Sequence, residues 1–246
     1  MANILDYLEW RGDISLQEDP FNAVDNLVLS WMAYVNLDEV MPIGICNESM
    51  TVGEAIEKFF SKYTLEDKLK EASLTRTSAL LFARLADCPR FCNMRILNYV
   101  NNVSEELQKQ FSAMTIEIDE NTRYIAFRGT DDTIIGWRED FNMGLMVSVP
   151  SQLDAVDYLE KTAGRGKHKL ILGGHSKGGN LAVYAAFRCS QGVKERIIQV
   201  YNNDGPGFQK EILDSKEYQE MLPKIRTIVP ESSIVGMLLG HEEEYD

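Results

Sequence analysis

The chain has 246 residues and a formal net charge of −13, and its composition is 44% hydrophobic and 26% charged. This length is enough for one large domain or two small ones, and the composition predicts a folded chain rather than a disordered one. The negative charge argues against nucleic acid or an anionic membrane as a partner, because the sequence shows no basic patch to offset the repulsion.

The beginning of the sequence, MANILDYLEWRGDISLQEDP, has acidic residues and a tryptophan where a secretory signal would have a basic and then an apolar region. No stretch reaches the ~20 apolar residues of a membrane-spanning helix. The four cysteines, Cys46, Cys88, Cys92 and Cys189, are scattered, and no histidine lies near the closest pair to complete a zinc site. We therefore expect a cytoplasmic protein with reduced thiols, no bound metal and no integral membrane segment.

Residues 1–111 are predicted to be mostly helical. In DPFNAVDNLVLSWMAYVNL, apolar side chains recur every three or four residues, as on one face of a helix. These side chains are Phe21, Val24, Leu27, Val28, Trp31 and Met32. Thr51 and Glu54 form a capping-box pattern for a second helix, and Thr64 with Asp67 repeats it. Because each helix has an apolar stripe to bury, this region is expected to pack on itself or on the following sheet, as a possible cap.

Residues 112–246 are predicted to form an α/β core. FSAMTIEIDENTRYIAFRGT predicts two strands joined by a polar turn, and helices then alternate with strands as far as the strand IRTIVP, the last of these helices being QKEILDSKEYQEML. This alternation indicates a mostly parallel sheet with helices on both faces. The strand KLILGG is apolar throughout, as expected for a strand that is covered on both sides.

The segment GHSKG at residues 174–178 satisfies the pattern G-x-S-x-G, where an apolar strand ends and a helix begins. This is the context that a nucleophile elbow needs, with a strained serine raised above the sheet. The dipole of the helix and the amide of Lys177 would stabilise an oxyanion beside Ser176. The alternative is a glycine turn that binds phosphate or another ligand without covalent chemistry.

A second motif, AFRGTDDTIIGWREDF at residues 126–141, precedes the elbow, where an α/β-hydrolase supplies its other oxyanion-hole amide. This motif resembles the FRG[ST]…W…D signature of the class 3 (fungal-type) lipases, and GGHSKGGNLAVYAA resembles their GHSxGGxLA elbow. The clear similarity covers about residues 120–190, and the whole chain resembles a bacterial branch of lipase-like proteins grouped under a domain of unknown function. The resemblance implies an α/β-hydrolase fold, with Thr130 as the oxyanion-hole residue and Asp140 bracing the loop.

The acid of a serine triad has two candidates, because the triad order in this fold is Ser, then Asp or Glu, then His. Asp204 follows the strand after the elbow helix, and VYNNDGPGF resembles the acid-bearing LDPAGPxF of pancreatic-type lipases. VPESSIVG resembles the class 3 segment xxDIVP, but Ser233 replaces its aspartate and Glu231 is the nearby alternative. We prefer Asp204, whose other possible role is to cap a Gly-Pro turn.

The base must come from the three histidines of this sequence or from beyond it. His168 precedes the strand that carries Ser176 and should lie at the opposite end of the sheet, and His175 is too constrained to reach over Ser176. His241, in LLGHEEEYD, follows the acid as the order requires and is the candidate within the sequence. However, GHEEEY resembles a family segment that precedes the catalytic histidine, so a base beyond residue 246 is the alternative.

The resemblance implies a serine hydrolase that cleaves carboxylic esters, of a lipid or another acyl compound, through an acyl-enzyme on Ser176. Such a hydrolase needs no cofactor and no metal, and its partner is a small-molecule or lipid ester. Two other functions are open: a non-catalytic α/β-hydrolase-like binding or scaffold protein, and an acyltransferase or thioesterase with the same residues. The sequence does not determine the oligomeric state.

Overall fold

A computed structural model describes residues 3–46, 48–70, 76–104, 106, 109–130, 148–164, 166–231, 233 and 240. The strands are β1 (Ser49–Thr51), β2 (Arg95–Ser104), β3 (Lys109–Asp119), β4 (Thr122–Phe127), β5 (Lys169–His175), β6 (Ile197–Asn203) and β7 (Ile225–Ile228). The helices are α1 (Ile4–Arg11), α2 (Ala23–Met32), α3 (Val52–Lys62), α4 (Leu65–Lys70), α5 (Thr77–Leu85), α6 (Pro89–Cys92), α7 (Pro150–Ala163), α8 (Lys177–Arg188), α9 (Gln191–Lys194), α10 (Lys210–Leu213) and α11 (Lys216–Met221), with a 3-10 turn at Leu222–Lys224.

These strands form one mixed sheet in the order β1 to β7. The pairs from β1 to β4 are antiparallel, and the pairs from β4 to β7 are parallel. Strands β4, β5, β6 and β7 therefore all end at the same edge of the sheet, which we call the carboxyl edge. In this register Gly174 lies opposite Phe127, and His175 lies opposite Asn203. Residues that directly follow these strands are consequently neighbours in space.

Both faces of the sheet are covered by helices. Side chains alternate between the faces of a strand, so Tyr124 of β4 belongs to one apolar cluster with Val28 of α2, whereas Ile125 belongs to a second cluster with Leu181 of α8. The face of Tyr124 is covered by α1, α2, α3 and α5, and the opposite face by α7, α8 and α11. This arrangement confirms the predicted α/β-hydrolase class of fold. None of the described helices has the length and apolar character that crossing a membrane requires.

The N-terminal region contributes more to the sheet than its sequence suggests. Residues 1–111 also supply β1, β2 and the start of β3, which begins at Lys109 rather than at residue 112. The strand β2 has the sequence RILNYVNNVS, whose asparagines are typical of turns, and its pairing with β3 overrides that local preference. The segment QKEILDSKEYQEML, predicted as one helix, forms α10 and α11, because Ser215 caps the second helix by accepting a hydrogen bond from the amide of Tyr218.

Helix α2 buries a face that is partly polar. Asn26 and Ser30 are fully buried, whereas Leu27 and Trp31 of the predicted apolar stripe keep partial exposure. Buried polar groups require hydrogen-bond partners, and the partners of these two side chains lie on the sheet. The helix is therefore fixed to the sheet by polar contacts as well as by apolar packing.

Candidate functional site

Ser176 occupies a tight turn between β5 and α8. Its backbone has φ 54° and ψ −130°, a left-handed conformation that is rare for a residue with a side chain. The amide of Ser176 donates to the carbonyl of Asn203 at 2.8 Å, and the amide of Gly179 donates to the carbonyl of Ser176 at 2.9 Å. The strained turn is thus held by β6 on one side and by the first turn of α8 on the other.

The start of α8 lies directly against the end of β4. A Cβ atom on Gly178 would overlap the carbonyl oxygen of Phe127 and would lie 3.0 Å from the amide nitrogen of Gly129. Only glycine permits this approach. The contact brings Gly129, and therefore its successor Thr130, beside the turn of Ser176. Asp140, which the resemblance assigns to bracing the loop, lies outside the described residues.

Asp204 lies at the carboxyl edge beside the same turn. Its amide donates to the carbonyl of Ile228 at 2.8 Å, and its backbone also has a positive φ, of 56°. The next residue, Gly205, lies so close to the turn that a Cβ atom on it would be 2.6 Å from the carbonyl oxygen of Ser176. The hydroxyl of Ser233 donates to Oδ1 of Asp204. The structure therefore brings Ser176, Asp204 and Ser233 into one cluster.

Glu231, the alternative acid, is exposed in the turn that follows β7. The amide of Ser233 donates to the carbonyl of Pro230 at 2.9 Å, which closes this turn. Of the two carboxylates considered from the sequence, Asp204 has contacts that tie it to the turn of Ser176.

His175 packs against the N-terminal helical region. Its Nδ1 atom is 2.9 Å from the hydroxyl of Tyr34, and its ring centroid is 5.0 Å from that of Trp31. Burial lowers the pKa of His175 below its usual range, and the carboxylate of Asp204 opposes this effect to a smaller degree. The imidazole is therefore a neutral, packed side chain at neutral pH.

The other two histidines have different positions. His168 immediately precedes β5, at the edge of the sheet opposite to Ser176, as predicted, and its carbonyl accepts from Nε of Arg196 at 2.9 Å. His241 lies outside the described residues. Gly240, the residue before it, pairs with Phe208 through two backbone hydrogen bonds of 2.9 and 3.1 Å.

The side chain of Lys177 is buried, with 1% of its surface exposed. Its Nζ atom donates to the carbonyl of Gln110 on β3 at 2.9 Å. This contact engages the amine with a carbonyl of β3, whereas a general base of the Ser-Lys kind would pair with the hydroxyl of Ser176.

The structure adds a residue to the site that the sequence alone did not indicate. The hydroxyl of Tyr34 contacts His175, and a Cβ atom on Gly129 would overlap it, so this hydroxyl lies between the ends of β4 and β5. A signal was present in the sequence, because Asn26, Ser30 and Tyr34 recur at a spacing of four residues within an apolar segment. We call these three residues the polar stripe.

The chain is similar to several solved structures. Among solved structures, the chain is similar to the fungal lipase of a lipase–inhibitor complex, described as a model for interfacial activation, with 19% identity, a TM-score of 0.44 and coverage of 76% of this chain and 75% of that one. It is also similar to M37 lipase, with 16% identity, a TM-score of 0.45 and coverage of 82% of this chain but only 65% of that one. No functionally curated protein sequence matches the chain.

The sequence profile of one family matches residues 85–246, which is well over half of the chain. The matched region contains the turn of Ser176, the end of β4 and the cluster around Asp204. The matched region also contains both sequence motifs that resemble those of the class 3 lipases. The chain belongs to the Mbeg1-like family, which is lipase-like.

Proposed function

We propose that this protein is a serine hydrolase that cleaves carboxylic esters through an acyl-enzyme on Ser176. The observation that carries the proposal is the backbone of Ser176, which is left-handed in a turn enclosed by the ends of β4 and β6. Such strain persists only where the surrounding structure imposes it, and it is concentrated at functional sites. The N-terminus of α8 at this point favours negative charge, as a tetrahedral oxyanion requires.

In the proposed reaction, Oγ of Ser176 attacks the ester carbonyl carbon while a histidine takes the hydroxyl proton. The backbone amides of Lys177 and Thr130 stabilise the oxyanion that forms. The carbon–oxygen bond to the alcohol then breaks, and the alcohol leaves with the proton from the histidine. Water then attacks the acyl carbon while the same histidine takes its proton, the bond from this carbon to Oγ breaks, and the histidine returns the proton to Oγ as the carboxylic acid leaves. We assign the base to His241 or to a histidine beyond residue 246.

We assign the triad acid to Asp204 rather than to Glu231. Two observations support this choice: Asp204 directly follows Asn203, whose carbonyl holds the amide of Ser176, and its carboxylate accepts from Ser233. A carboxylate that orients a histidine must itself be held in place, and these contacts hold Asp204. Glu231 is exposed and would have to leave the solvent to serve the same purpose.

The proposed substrate is a small-molecule or lipid ester, and no metal or cofactor takes part. A cytoplasmic location is part of the proposal, and it is supported by four free thiols at Cys46, Cys88, Cys92 and Cys189. Burial raises the pKa of Cys88 to about 11 and that of Cys189 to about 12, which suits structural thiols rather than reactive ones.

Labelling with a fluorophosphonate tests the enzyme proposal directly. We expect one covalent adduct per chain on the full-length protein, detected by intact mass, and none on Ser176→Ala. Ser61→Ala, which removes an exposed serine, is the control and should label like the wild type. A folded wild-type protein that forms no adduct would contradict the proposal and leave a non-catalytic member of the fold.

The substrate class needs a second measurement on a protein that labels. Hydrolysis rates of p-nitrophenyl esters of increasing acyl length should rise towards the longer chains if the substrate is a lipid. A flat profile would count against a lipid pocket and favour a small-ester esterase. Faster turnover of matched thioesters, or acyl transfer to an added alcohol, would identify the thioesterase or acyltransferase alternative.

A further inference from the structure

Asn203, the last residue of β6, contacts the strand of Ser176 at two points. Its backbone carbonyl accepts from the amide of Ser176 at 2.8 Å, and its side-chain Nδ2 donates to the carbonyl of Gly174 at 3.0 Å. The two contacts enclose His175 between them. One residue therefore fixes the backbone on both sides of the point where the chain enters its strained turn.

The side chain of Asn203 is held in turn by helix α2. Nδ2 of Asn26 donates to Oδ1 of Asn203 at 2.8 Å, and Nδ2 of Asn203 donates to Oγ of Ser30 at 3.0 Å. The hydroxyl of Tyr124 on β4 completes the network, because it lies 2.8 Å from Oγ of Ser30 and donates to Oδ1 of Asn26 at 2.8 Å. We call these four side chains the amide network.

All four side chains of the amide network are buried to within 1% of full burial. Polar groups at such a depth destabilise a fold unless every partner is in place, and an apolar core would cover the sheet without that risk. A satisfied network does what apolar packing does not, because hydrogen bonds fix the direction of each group. Because the amide network lies next to the strained serine, this property indicates a role in orienting the groups around Ser176.

We infer that Asn203 is a positioning residue for Ser176, and that α2 is a fixed support that holds Asn203 rather than a lid that moves away. This inference rests on the proposed hydrolase function. Because Asp204 follows Asn203 directly, the same contacts fix the serine and the acid relative to each other. Release of the Asn203 side chain would let the turn relax from φ 54° and would displace Oγ of Ser176.

Two variants and one matched control test this inference. Ser30→Ala removes a buried hydroxyl paired with Tyr124, and Asn203→Leu removes the amide at similar volume. Thr115→Val is the control. The hydroxyl of Thr115 pairs with that of Tyr158 at 2.9 Å, and this pair is also buried but lies on the other face of the sheet. Each variant is compared with the wild type in its unfolding temperature, its rate of fluorophosphonate labelling and the exchange rate of the Ser176 amide hydrogen.

We expect Ser30→Ala to slow labelling about tenfold and Asn203→Leu about a hundredfold, since small displacements of reacting groups reduce rates by such factors. The Ser176 amide should exchange faster in both variants. Thr115→Val should unfold at a lower temperature yet keep the wild-type labelling rate and amide exchange. A purely structural network would instead lower the unfolding temperature of all three variants without any selective effect on Ser176.

If Asn203→Leu does not fold, Ser30→Ala decides the question. Folded variants that label and exchange like the wild type would overturn the inference. The exchange of the Ser176 amide does not require catalysis, so it tests the support by Asn203 even if the wild type proves unreactive. An unreactive wild type with faster exchange in Ser30→Ala would therefore reject the hydrolase and retain the support of the turn.

Discussion

At the scale of single residues, the backbone marks the site more clearly than any side chain does. Among the described residues other than glycine, Asn98, Ser176 and Asp204 have a positive φ. Each such conformation destabilises the fold by about 1–3 kcal/mol, so tertiary contacts must enforce it. Two of the three lie side by side at the carboxyl edge, where the amides of Ser176 and Asp204 bond to the next strand or its end. This concentration of strained residues indicates that the two turns have a functional role.

The assignment of the triad acid gives the first prediction. Asp204→Asn should reduce kcat on an ester substrate roughly a thousandfold or more, because an amide cannot stabilise the imidazolium or select its tautomer. The near-identical shape should leave the unfolding temperature close to that of the wild type. Glu231→Gln is the matched control and should keep nearly full activity. The reverse ranking of the two variants would transfer the role to Glu231.

At the scale of elements, α2 is fixed from two sides. The part of the polar stripe that lies in α2 faces the sheet, and Asp25 of the same helix pairs with Arg90 of α6, both side chains having no exposed surface. Arg90 is bidentate, with Nε to Oδ1 at 2.7 Å and Nη2 to Oδ2 at 2.6 Å. Its Nη1 atom also donates to the carbonyls of Ile14 and Asp19, at 3.0 and 2.9 Å. One guanidinium thus joins α2, α6 and the loop after α1.

The second prediction concerns this ion pair. Arg90→Met should reduce the free energy of unfolding by about 3–5 kcal/mol, because it leaves the carboxylate of Asp25 buried without its cationic partner. Lys161→Met, which breaks a solvent-exposed pair with Asp157 on α7, should have little effect. Urea denaturation measures both. The double variant Asp25→Leu/Arg90→Met should recover most of the loss, and a double variant as unstable as Arg90→Met would contradict this explanation.

The elements that were predictable from sequence are those with local signals. Thr51 and Glu54 form the expected capping box, with bonds of 3.1 and 2.7 Å, and the apolar strand before GHSKG is β5. The strand β2 was missed because its stability comes from pairing with β3, which no local pattern encodes. The buried face of α2 was predicted only in part for a related reason: Val28 and Met32 are buried as expected, but Asn26 and Ser30 are buried with partners far away in sequence.

The candidate site divides in the same way. Ser176 could be placed in a turn at the carboxyl edge because the glycines, the strand and the helix are adjacent in the chain. The role of Tyr34 depends on its contact with His175, which lies more than 140 residues away in the sequence. The role of Asn203 depends on the pairing of β6 with β5. The periodicity of a sequence predicts which apolar side chains share a face, but it does not predict which polar side chains are buried in hydrogen bonds with distant segments.

At the scale of the whole molecule, the titration of His175 and His168 predicts how stability depends on pH. Burial lowers the pKa values of both His175 and His168 in the folded protein. Near these pKa values the unfolded chain therefore binds more protons than the folded protein does. The contribution of the two histidines to the free energy of unfolding is complete above the pKa of a histidine in the unfolded chain, about 6.5. It is lost as the pH falls towards the lower pKa values of the folded state.

The third prediction follows from that sign. The unfolding temperature should fall as the pH decreases from about 7.5 to about 5.5, across the unfolded histidine pKa. His175→Asn should show a shallower slope than the wild type over this interval. An NMR titration of the His175 ring measures the cause directly. A pKa of His175 at or above its usual value in the folded protein would contradict the prediction.

The helices that cover one face of the sheet lie outside the region that the family profile matches. The family profile begins at residue 85, but the face of the sheet that carries Tyr124, Ile171 and Tyr201 is covered by α1, α2, α3 and α5, all of which end at or before that residue. A fragment trimmed to the profile would expose this apolar face to solvent and would lose Asn26 and Ser30, which hold the side chain of Asn203. The region by which the chain is classified is thus smaller than its folding unit, and expression of family members should retain the preceding helices.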